Sequence, residues 1–245
     1  MNIAIVGYGK MGKEIEAVAH EKKIRVVKVF DEADNRNGSA LTKESLKDVD
    51  VCIEFSTPRA VLENIEAIAE ARKNIVVGTT GWYDKLSDVA KLVKEKKIGL
   101  VHAANFSLGM NVFFQLVTAA SRAFDKFDMY DVAVSEIHHL QKMDSPSGTA
   151  LAIGNLIIQH LRRKRSMLHG TVHGGVKSDE LHVTSTRLGA EVGRHTVMFD
   201  SEADTIELIH NAKNRRGFAL GALIAAEWIK GKKGVYTMKD VLSLS

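Results

Sequence analysis

The sequence predicts an α/β protein, in which a doubly wound parallel sheet is followed by an α+β region. Two observations lead to this prediction. The first hundred residues alternate between short β-rich runs and stretches with apolar residues at helical spacing, an order that builds a parallel sheet with helices on both faces. After about residue 107, longer helices and three strand-like runs separated by turn residues follow, which is typical of a mixed or mostly antiparallel sheet.

Five strands are predicted in the first half, and each is a nearly continuous apolar run, as expected when both faces of a sheet are covered. They are Asn2–Val6, Arg25–Phe30, Val51–Phe55, Asn74–Val77 and Gly99–His102. Apolar residues at helical spacing predict one helix around Met11–Ala19 and another around Val61–Ala69. The second helix is expected to open at Ser56-Thr57-Pro58, where a capping residue precedes a proline in the first turn.

The second half is predicted to contain fewer and longer elements. In order these are a helix Leu108–Phe127, a strand Tyr130–Glu136, a helix Ser147–Arg163, a long loop Ser166–Glu180, strands Leu181–Arg187, His195–Asp200 and Thr205–Ala212, and a helix Phe218–Ile229 before a short tail.

Bulk composition limits the classes of protein that the chain fits. Its 245 residues are 45% hydrophobic, enough for one or two domains. No run reaches the roughly 18 apolar residues of a membrane span, and the amino terminus lacks the pattern of a signal peptide. The single cysteine, Cys52, excludes an internal disulfide and fits a cytoplasmic location. It lies in an apolar run, which predicts a small buried residue.

The net charge of +4 favours an anionic small molecule over a nucleic acid as partner. The densest basic runs, residues 162–165 and 230–233, each follow an apolar helical segment. Cations at a helix end interact favourably with the negative end of the helix dipole. No aromatic platform accompanies them, so nucleic-acid binding is not expected.

The segment Gly7-Tyr8-Gly9-Lys10-Met11-Gly12 predicts a dinucleotide site. It fits G-x-G-x-x-G and lies between a predicted strand and helix, where glycines permit the tight turn and the close approach of a pyrophosphate. Asp31 ends the second strand, nineteen residues after Gly12, where a carboxylate would accept from the adenosine ribose hydroxyls. The alternative is a glycine-rich turn followed by an unrelated surface acid.

The residue after Asp31 favours NADH over NADPH. It is Glu32 rather than an arginine, so a 2′-phosphate would meet two negative charges. Lys10, Arg25 and Lys28 could offset part of this repulsion.

Two further loops are predicted to line the same crevice, because ligands bind beyond the carboxyl ends of parallel strands. They are Gly78-Thr79-Thr80-Gly81 and Ala103-Ala104-Asn105-Phe106-Ser107.

The segment from Glu136 to Ala150 carries the strongest sign of chemistry. His138 and His139 point to opposite faces of an extended strand, and Lys142 follows across a loop. Ser147 is placed to cap the next helix, and the amides of Gly148 and Thr149 are expected to be free donors for a carboxylate. Lys142 would add a charge and a proton, and histidine can exchange protons near neutral pH. The alternatives are a histidine-rich surface turn or a metal site, and the latter lacks the usual spaced ligand set, so no metal is expected.

The pattern Glu136-x-His-His-x-x-Lys-x-Asp-x-Pro-Ser-Gly-Thr-Ala150 resembles the signature of the 4-hydroxy-tetrahydrodipicolinate reductase (dihydrodipicolinate reductase) family of bacterial lysine, or diaminopimelate, synthesis. Other segments along the whole chain also resemble that family. These are Gly7–Gly12, Glu54–Pro58, Gly78–Thr80, Ala103–Ser107, Arg187–His195 and Met238–Leu242.

The resemblance implies a Rossmann-like dinucleotide-binding domain, residues 1–106 plus 215–245, with an inserted substrate-binding and tetramerisation domain, residues 107–214. It implies an NAD(P)H-dependent oxidoreductase that reduces a cyclic imine dicarboxylate to tetrahydrodipicolinate with loss of water, and a homotetramer. His138 and Lys142 would be the catalytic proton-transfer groups. Substrate carboxylates would be held by His139, Gly148 and Thr149, and the nicotinamide side would be lined by Gly78, Thr79, Thr80, Ala103, Ala104, Asn105 and Phe106.

The sequence departs from the family pattern in two places. The span between Asp31 and Val51 is short, so one connecting element is expected to be trimmed, and the arginine after the ribose acid is missing. Two rival functions are a two-domain NAD-dependent amino- or oxo-acid dehydrogenase and a non-catalytic dinucleotide sensor. The dehydrogenase would not need the full loop, and the sensor would be expected to lose His138 or Lys142.

Overall fold

The computed structural model describes residues 1–244, which form two compact units. One unit comprises Met1–Leu108 and the segment that begins at Arg215, and the other comprises Gly109–Asn214. The roles that we predict for the two domains stay predictions. The elements in chain order are β1 (Asn2–Val6), α1 (Lys10–Glu21), β2 (Arg25–Phe30), β3 (Val51–Glu54), α2 (Val61–Glu70), β4 (Asn74–Val77), α3 (Leu86–Lys96), β5 (Gly99–His102), α4 (Leu108–Phe124), β6 (Asp131–His138), α5 (Gly148–His160), β7 (Ser166–His169), β8 (Glu180–Arg187), β9 (Arg194–Asp200), β10 (Thr205–Asn211), α6 (Arg216–Ile229), β11 (Gly234–Thr237) and α7 (Met238–Val241).

The first unit contains a six-stranded parallel sheet in the order β11-β5-β4-β3-β1-β2. Two separate apolar clusters cover it. Residues of α1 and α6, such as Ile15 and Leu223, belong to one cluster, and residues of α2 and α3, such as Ile65 and Val93, belong to the other. Because both faces are covered, β1, β3, β4 and β5 are almost entirely buried. The predicted doubly wound parallel sheet is confirmed.

The carboxyl-terminal tail is more structured than we predicted. Residues Gly234–Thr237 form β11, which pairs in parallel with β5 and places Val235 opposite Leu100. A short helix, α7, follows. Four residues carry too little pattern to predict a strand whose partner is far away in sequence.

The start of α2 was also predicted wrongly. The helix begins at Val61 rather than at the Ser-Thr-Pro segment. The hydroxyl of Ser56 donates to Glu54 instead of capping the helix, and the Thr57 carbonyl accepts from the amides of Ala60 and Val61 in an intervening turn. The connection between β2 and β3 contains only a short 3-10 helix, Arg36–Gly38, besides turns, which agrees with the expected trimming.

The second unit contains a five-stranded mixed sheet in the order β10-β9-β6-β8-β7. Its β6–β8 and β7–β8 pairs are parallel, whereas β9 runs antiparallel to both β6 and β10. Side chains of α4 and α5, such as Phe113 and Ile153, share a buried core with Val134 and Val183 of the sheet. The predicted loop after α5 was partly wrong, because Ser166–His169 forms the edge strand β7.

The structure bears on two further predictions, the burial of Cys52 and the lack of a membrane-spanning helix. Cys52 is fully buried in β3, and burial raises the pKa of its thiol to about 12, so it is a packing residue as predicted. Within residues 1–244, no helix combines the length and apolar character that crossing a bilayer requires.

Candidate active site

The glycine turn after β1 has the geometry that a pyrophosphate group requires. Gly7 has a φ of +91°, and a Cβ there would lie 2.3 Å from the Phe55 carbonyl oxygen. A Cβ on Gly12 would lie 2.3 Å from the Gly7 carbonyl oxygen, which explains the close packing of α1 on the turn. A Cβ on Gly9, in contrast, would meet no atom within 4 Å. Gly9 therefore borders open space at the amino terminus of α1, where free amides attract anions.

Asp31 lies beside this turn, immediately after β2. Its Oδ1 accepts hydrogen bonds from the amides of Glu32, at 2.9 Å, and Tyr8, at 3.4 Å. A cavity of about 690 Å³ in the same unit is lined by the glycine turn, Asp31 and Glu32, and by Arg36 and Arg59. These features fit a bound dinucleotide.

The two arginines of this cavity were missed by sequence reasoning. Arg36 lies in the short connection after β2, and Arg59 follows the Ser-Thr-Pro segment. Proximity to Asp31 in sequence was the only available signal for Arg36. The expected contribution of Arg25 and Lys28 is not supported, because both residues line a different cavity near Asp48.

The two predicted loops follow β4 and β5 at their carboxyl ends and meet at Phe55. A Cβ on Gly78 would lie 2.2 Å from the Phe55 ring, and the Phe55 and Phe106 rings are 5.6 Å apart. Phe106 is buried, so it offers little surface to a ligand. Thr79 is buried, and its carbonyl accepts from the Trp82 indole at 2.8 Å. The Asn105 side chain accepts from the Ser107 amide at 2.9 Å.

The remaining predicted cofactor residues differ in exposure. Tyr8 and Met11 are half-buried against the core, as is Ala103, whereas Lys10 and Ala104 are exposed. The Tyr8 hydroxyl donates to Glu16 on α1.

In the second unit, β6 ends at the predicted catalytic histidine. His138 is buried, whereas His139 is half-buried, consistent with neighbouring residues that point in different directions on an extended strand. A Cβ on Gly193 would lie 2.9 Å from Nε2 of His138. Gly193 therefore leaves room for this edge of the imidazole ring.

The loop after β6 gathers donors around one carboxylate. Lys142 Nζ lies 2.7 Å from Asp144 Oδ1, and the Gly148 amide donates to Asp144 Oδ2 at 3.3 Å. The prediction of a free Gly148 amide was therefore wrong, because a carboxylate from the chain itself accepts from it. The predicted cap is confirmed, since Ser147 Oγ accepts from the Ala150 amide at 3.1 Å.

Sequence reasoning gave no role to the residue at the centre of this site, Glu136. One of its oxygens, Oε1, accepts from the Ser147 amide at 2.8 Å and from the Ser185 hydroxyl at 2.9 Å, and lies 3.4 Å from the Arg187 guanidinium. The other, Oε2, lies 3.1 Å from Nδ1 of His138. The Glu136-x-His138 spacing, which places both side chains on one face of a strand, was the available signal.

Burial and neighbouring groups shift the pKa values of Glu136 and His195. Burial opposes ionisation of Glu136, but hydrogen bonds from His138, Ser147 and Ser185 outweigh it and hold the pKa of the carboxyl well below its usual range. Burial, with a smaller contribution from His138, lowers the pKa of His195 to about 4. His195 is therefore neutral at pH 7.

Three neighbouring side chains bear on the prediction that no metal is bound. Glu136, His138 and His195 bring one carboxylate oxygen and two imidazole nitrogens within 4.8 Å of one another. The Arg187 guanidinium already places a positive charge beside the Glu136 carboxylate, and this charge disfavours the binding of a metal cation. The absence of a metal stays a prediction.

Comparison with known proteins identifies the family. The model of the dihydrodipicolinate reductase amino-terminal domain matches residues 1–106, and that of the carboxyl-terminal domain matches residues 109–242. The chain belongs to the dihydrodipicolinate reductase family.

Relatives in this family match the chain along most of its length. The 4-hydroxy-tetrahydrodipicolinate reductase of Christiangramia forsetii is 40% identical over 99% of this chain and 98% of the relative. The enzyme of the same name from Neisseria meningitidis serogroup B is 38% identical over 80% of this chain and 73% of the relative. The dipicolinate-bound dihydrodipicolinate reductase of Paenisporosarcina sp. TG-14 has a TM-score of 0.76 and 25% identity, with 97% of each chain covered.

Membership of this reductase family implies an oxidoreductase that uses a nicotinamide dinucleotide. The residues of the first unit fit that group, because Gly9 borders open space, Gly7 adopts a positive φ, and Asp31 stands beside the turn.

Proposed function

We propose that the protein is a 4-hydroxy-tetrahydrodipicolinate reductase, which reduces a cyclic imine dicarboxylate to tetrahydrodipicolinate with loss of water. The observation that carries this proposal is the segment from Glu136 to Ala150. It combines a buried histidine, a lysine and a capped helix amino terminus within one loop. The family to which the chain belongs, and the names of its full-length relatives, support the same reaction.

His138 and Lys142 are the proposed catalytic residues. When a conjugated imine is reduced, negative charge develops on its nitrogen and carbon atoms, and a nearby cation and a proton donor stabilise that charge. Lys142 supplies the cation and a proton, and it is only partly exposed, with 22% of its side-chain surface accessible. His138 supplies an imidazole that can give or take a proton during the reaction.

The substrate carboxylates are proposed to bind at the amino terminus of α5, through Gly148 and Thr149, and to His139. This proposal is supported by Asp144, whose carboxylate accepts from both Lys142 and the Gly148 amide. Two donors that converge on a carboxylate of the chain are also suitably placed to bind a carboxylate of the substrate. The helix amino terminus adds its own attraction for an anion.

The proposed cofactor is NADH in preference to NADPH. When bound, the nicotinamide dinucleotide supplies the hydride. The turn from Gly7 to Gly12, with Asp31, would hold the pyrophosphate and ribose, and the Gly78–Thr80 and Ala103–Phe106 loops would line the nicotinamide side. Asp31 and Glu32 oppose a 2′-phosphate, while Arg36 and Arg59 on the same cavity reduce the size of that penalty.

The proposed assembly is a homotetramer formed through the second unit. Its edge strand β10 exposes Ile206 and Ile209, and α4 exposes Val112 and Leu116. Apolar side chains gathered on one unit of a chain favour association between copies. Light scattering on the purified protein would show a mass near four times 26.9 kDa, whereas a monomer would refute this part of the proposal. We also propose a cytoplasmic location, which the buried, unpaired Cys52 supports.

A coupled assay tests the reaction. Pyruvate and aspartate semialdehyde are supplied with the upstream synthase, and absorbance of the reduced nicotinamide is followed with NADH and, separately, with NADPH. We expect oxidation that depends on the synthase, and it should be faster with NADH. If a folded protein binds NADH but oxidises neither cofactor, the proposed reaction is wrong. A higher rate with NADPH would refute only the cofactor preference.

A further inference from the structure

Glu136 is a fully buried carboxylate in the middle of the second unit's sheet. It lies on the central strand β6, opposite Ser185 on β8 and His195 on β9, and none of its side-chain surface is accessible. A buried carboxylate is costly unless donors surround it. Sequence patterns place this residue within the family signature, but the structure is needed to see what it contacts.

The two oxygens of Glu136 have different surroundings. Oε1 faces fixed donors, namely the Ser147 amide, the Ser185 hydroxyl and the Arg187 guanidinium. These contacts anchor the carboxylate to the start of α5 and to β8. Because Oε1 is held on several sides, the position of Oε2 is also fixed.

Oε2 faces two imidazole rings. Nδ1 of His138 lies 3.1 Å away, and Nε2 of His195 lies 3.7 Å away. Within residues 1–244, neither Oε2 nor Nδ1 of His138 has a partner in full hydrogen-bond geometry, so their 3.1 Å contact brings together two buried and otherwise unpaired polar atoms. Nδ1 can therefore satisfy this buried oxygen only by carrying the proton, because a bare nitrogen would leave two acceptors facing each other.

The opposite edge of the His138 ring lies in a different environment. Its Nε2 lies against Gly193, where the absence of a Cβ makes room for the ring. The groups around the ring are Glu136 on the same strand, Arg187 opposite on β8, and His195 on β9 with its ring centre 5.1 Å away. Lys142, beyond them, has its carbonyl oxygen 3.4 Å from Nε of Arg187.

We propose that Glu136 is a positioning residue for the reaction. Its carboxylate orients the His138 ring and holds the ring proton on Nδ1, which leaves Nε2 to exchange a proton with the ligand. The inference deepens the proposed function and rests on it, because His138 is the proton-transfer group of that proposal. Buried carboxylates that fix a histidine tautomer are a general means of preparing an imidazole for proton transfer.

The test compares Glu136→Gln with Ser185→Ala. Glutamine preserves the size of the side chain and an acceptor for the Ser147 amide, but it removes the charge that faces His138. Ser185→Ala removes one contact to Oε1 and keeps that charge, so it is the matched control. The tautomer is read from nitrogen-15 spectra of protein labelled at histidine nitrogens, with His138→Gln used to assign the signal.

We expect neutral His138 in the unmodified protein to carry its proton on Nδ1. In Glu136→Gln the proton should move to Nε2, and kcat should fall about tenfold or more while KM changes less than about threefold. Ser185→Ala should keep the native tautomer and a near-native kcat.

Two results would overturn the proposal. One is a Glu136→Gln protein that retains the native tautomer and kcat. The other, which needs no variant that might misfold, is an unmodified protein whose neutral His138 carries the proton on Nε2. An Nδ1 tautomer without synthase-dependent oxidation would instead refute the proposed reaction and leave only the effect of Glu136 on the His138 tautomer standing.

Discussion

Lys142 and Asp144 form an ion pair with 2.7 Å between Nζ and Oδ1, inside the loop that is proposed to bind the substrate. Burial raises the pKa of the Asp144 carboxyl, but contacts that include the pair with Lys142 outweigh burial and hold this pKa below its usual value. Asp144 also accepts from the Gly148 amide, so one internal carboxylate engages two of the donors assigned to the ligand. A dianionic ligand would have to displace this carboxylate and would be repelled by it.

Asp144→Asn should therefore strengthen binding of a dicarboxylate. Asparagine keeps the size of the side chain and removes the competing charge. We expect dipicolinate to bind about three- to tenfold more tightly, since partly exposed charge interactions contribute on the order of 1 kcal/mol. Isothermal titration in the presence of NADH measures this change.

The control for this experiment is Asp88→Asn. Asp88 forms a more exposed pair with Lys91, at 3.1 Å, in the other unit, so its replacement should leave dipicolinate affinity unchanged. Weaker binding in Asp144→Asn would show that Asp144 holds Lys142 in place for the ligand and does not compete with it.

Replacement of either proposed catalytic residue should nearly abolish turnover. We expect His138→Ala and Lys142→Ala each to lower kcat by about a hundredfold or more, the scale of a lost acid–base group. Lys91→Ala removes an exposed lysine from the other unit and should keep full activity. The synthase-coupled assay gives these rates, and near-normal turnover in both alanine variants would contradict the assignment.

Much of the fold was predictable because its signals are local. The glycine turn and the apolar runs of β1 and β4 can each be recognised from a few consecutive residues. The errors arose where distant residues decide the structure. Strands β7 and β11 have four residues each and exist because they pair with β8 and β5. Ser56 was expected to cap a helix, but the buried carboxylate of Glu54 takes its hydroxyl instead.

The residues of the candidate site also differ in whether nearby or distant parts of the sequence determine their roles. His138 and Lys142 could be selected from the sequence because titratable groups and turn formers crowd into one short segment. The role of Glu136 could not be predicted, because its partners Ser185 and His195 lie 49 and 59 residues further along the chain (185 − 136 and 195 − 136) and reach it only through the sheet register. Competition from Asp144 for the Gly148 amide depends on a loop conformation that residue spacing does not specify.

Two glycines of the amino-terminal turn should respond differently to alanine. A methyl group on Gly9 enters open space, so Gly9→Ala should fold normally but raise the KM for NADH about tenfold or more, because the methyl group blocks the approach of the pyrophosphate. A methyl group on Gly12 meets the Gly7 carbonyl oxygen at 2.3 Å. Gly12→Ala should therefore lower the free energy of unfolding by about 1–3 kcal/mol, the usual cost of overpacking.

Thermal unfolding and NADH titration together separate these two effects. Gly175→Ala, in the other unit, adds a methyl group that meets no atom within 4 Å and should change neither property. If Gly9→Ala lowers stability as much as Gly12→Ala while NADH affinity stays normal, then the turn is a packing feature and not a cofactor site.

Stability should fall as the pH is lowered from about 6.5 to 4, and buried His195 should account for part of that fall. Its pKa is lowered from 6.5 to about 4, chiefly by burial, so the unfolded chain binds a proton in this range that the native protein does not. The contribution is fully present above pH 6.5, is lost as pH falls toward 4, and amounts to about 3 kcal/mol at most. His195→Gln should therefore flatten the pH dependence of the unfolding free energy in this window, as measured by urea denaturation. His173→Gln, which changes an exposed histidine, should keep the native slope, and an equal slope in His195→Gln would mean that the native protein protonates His195 without cost.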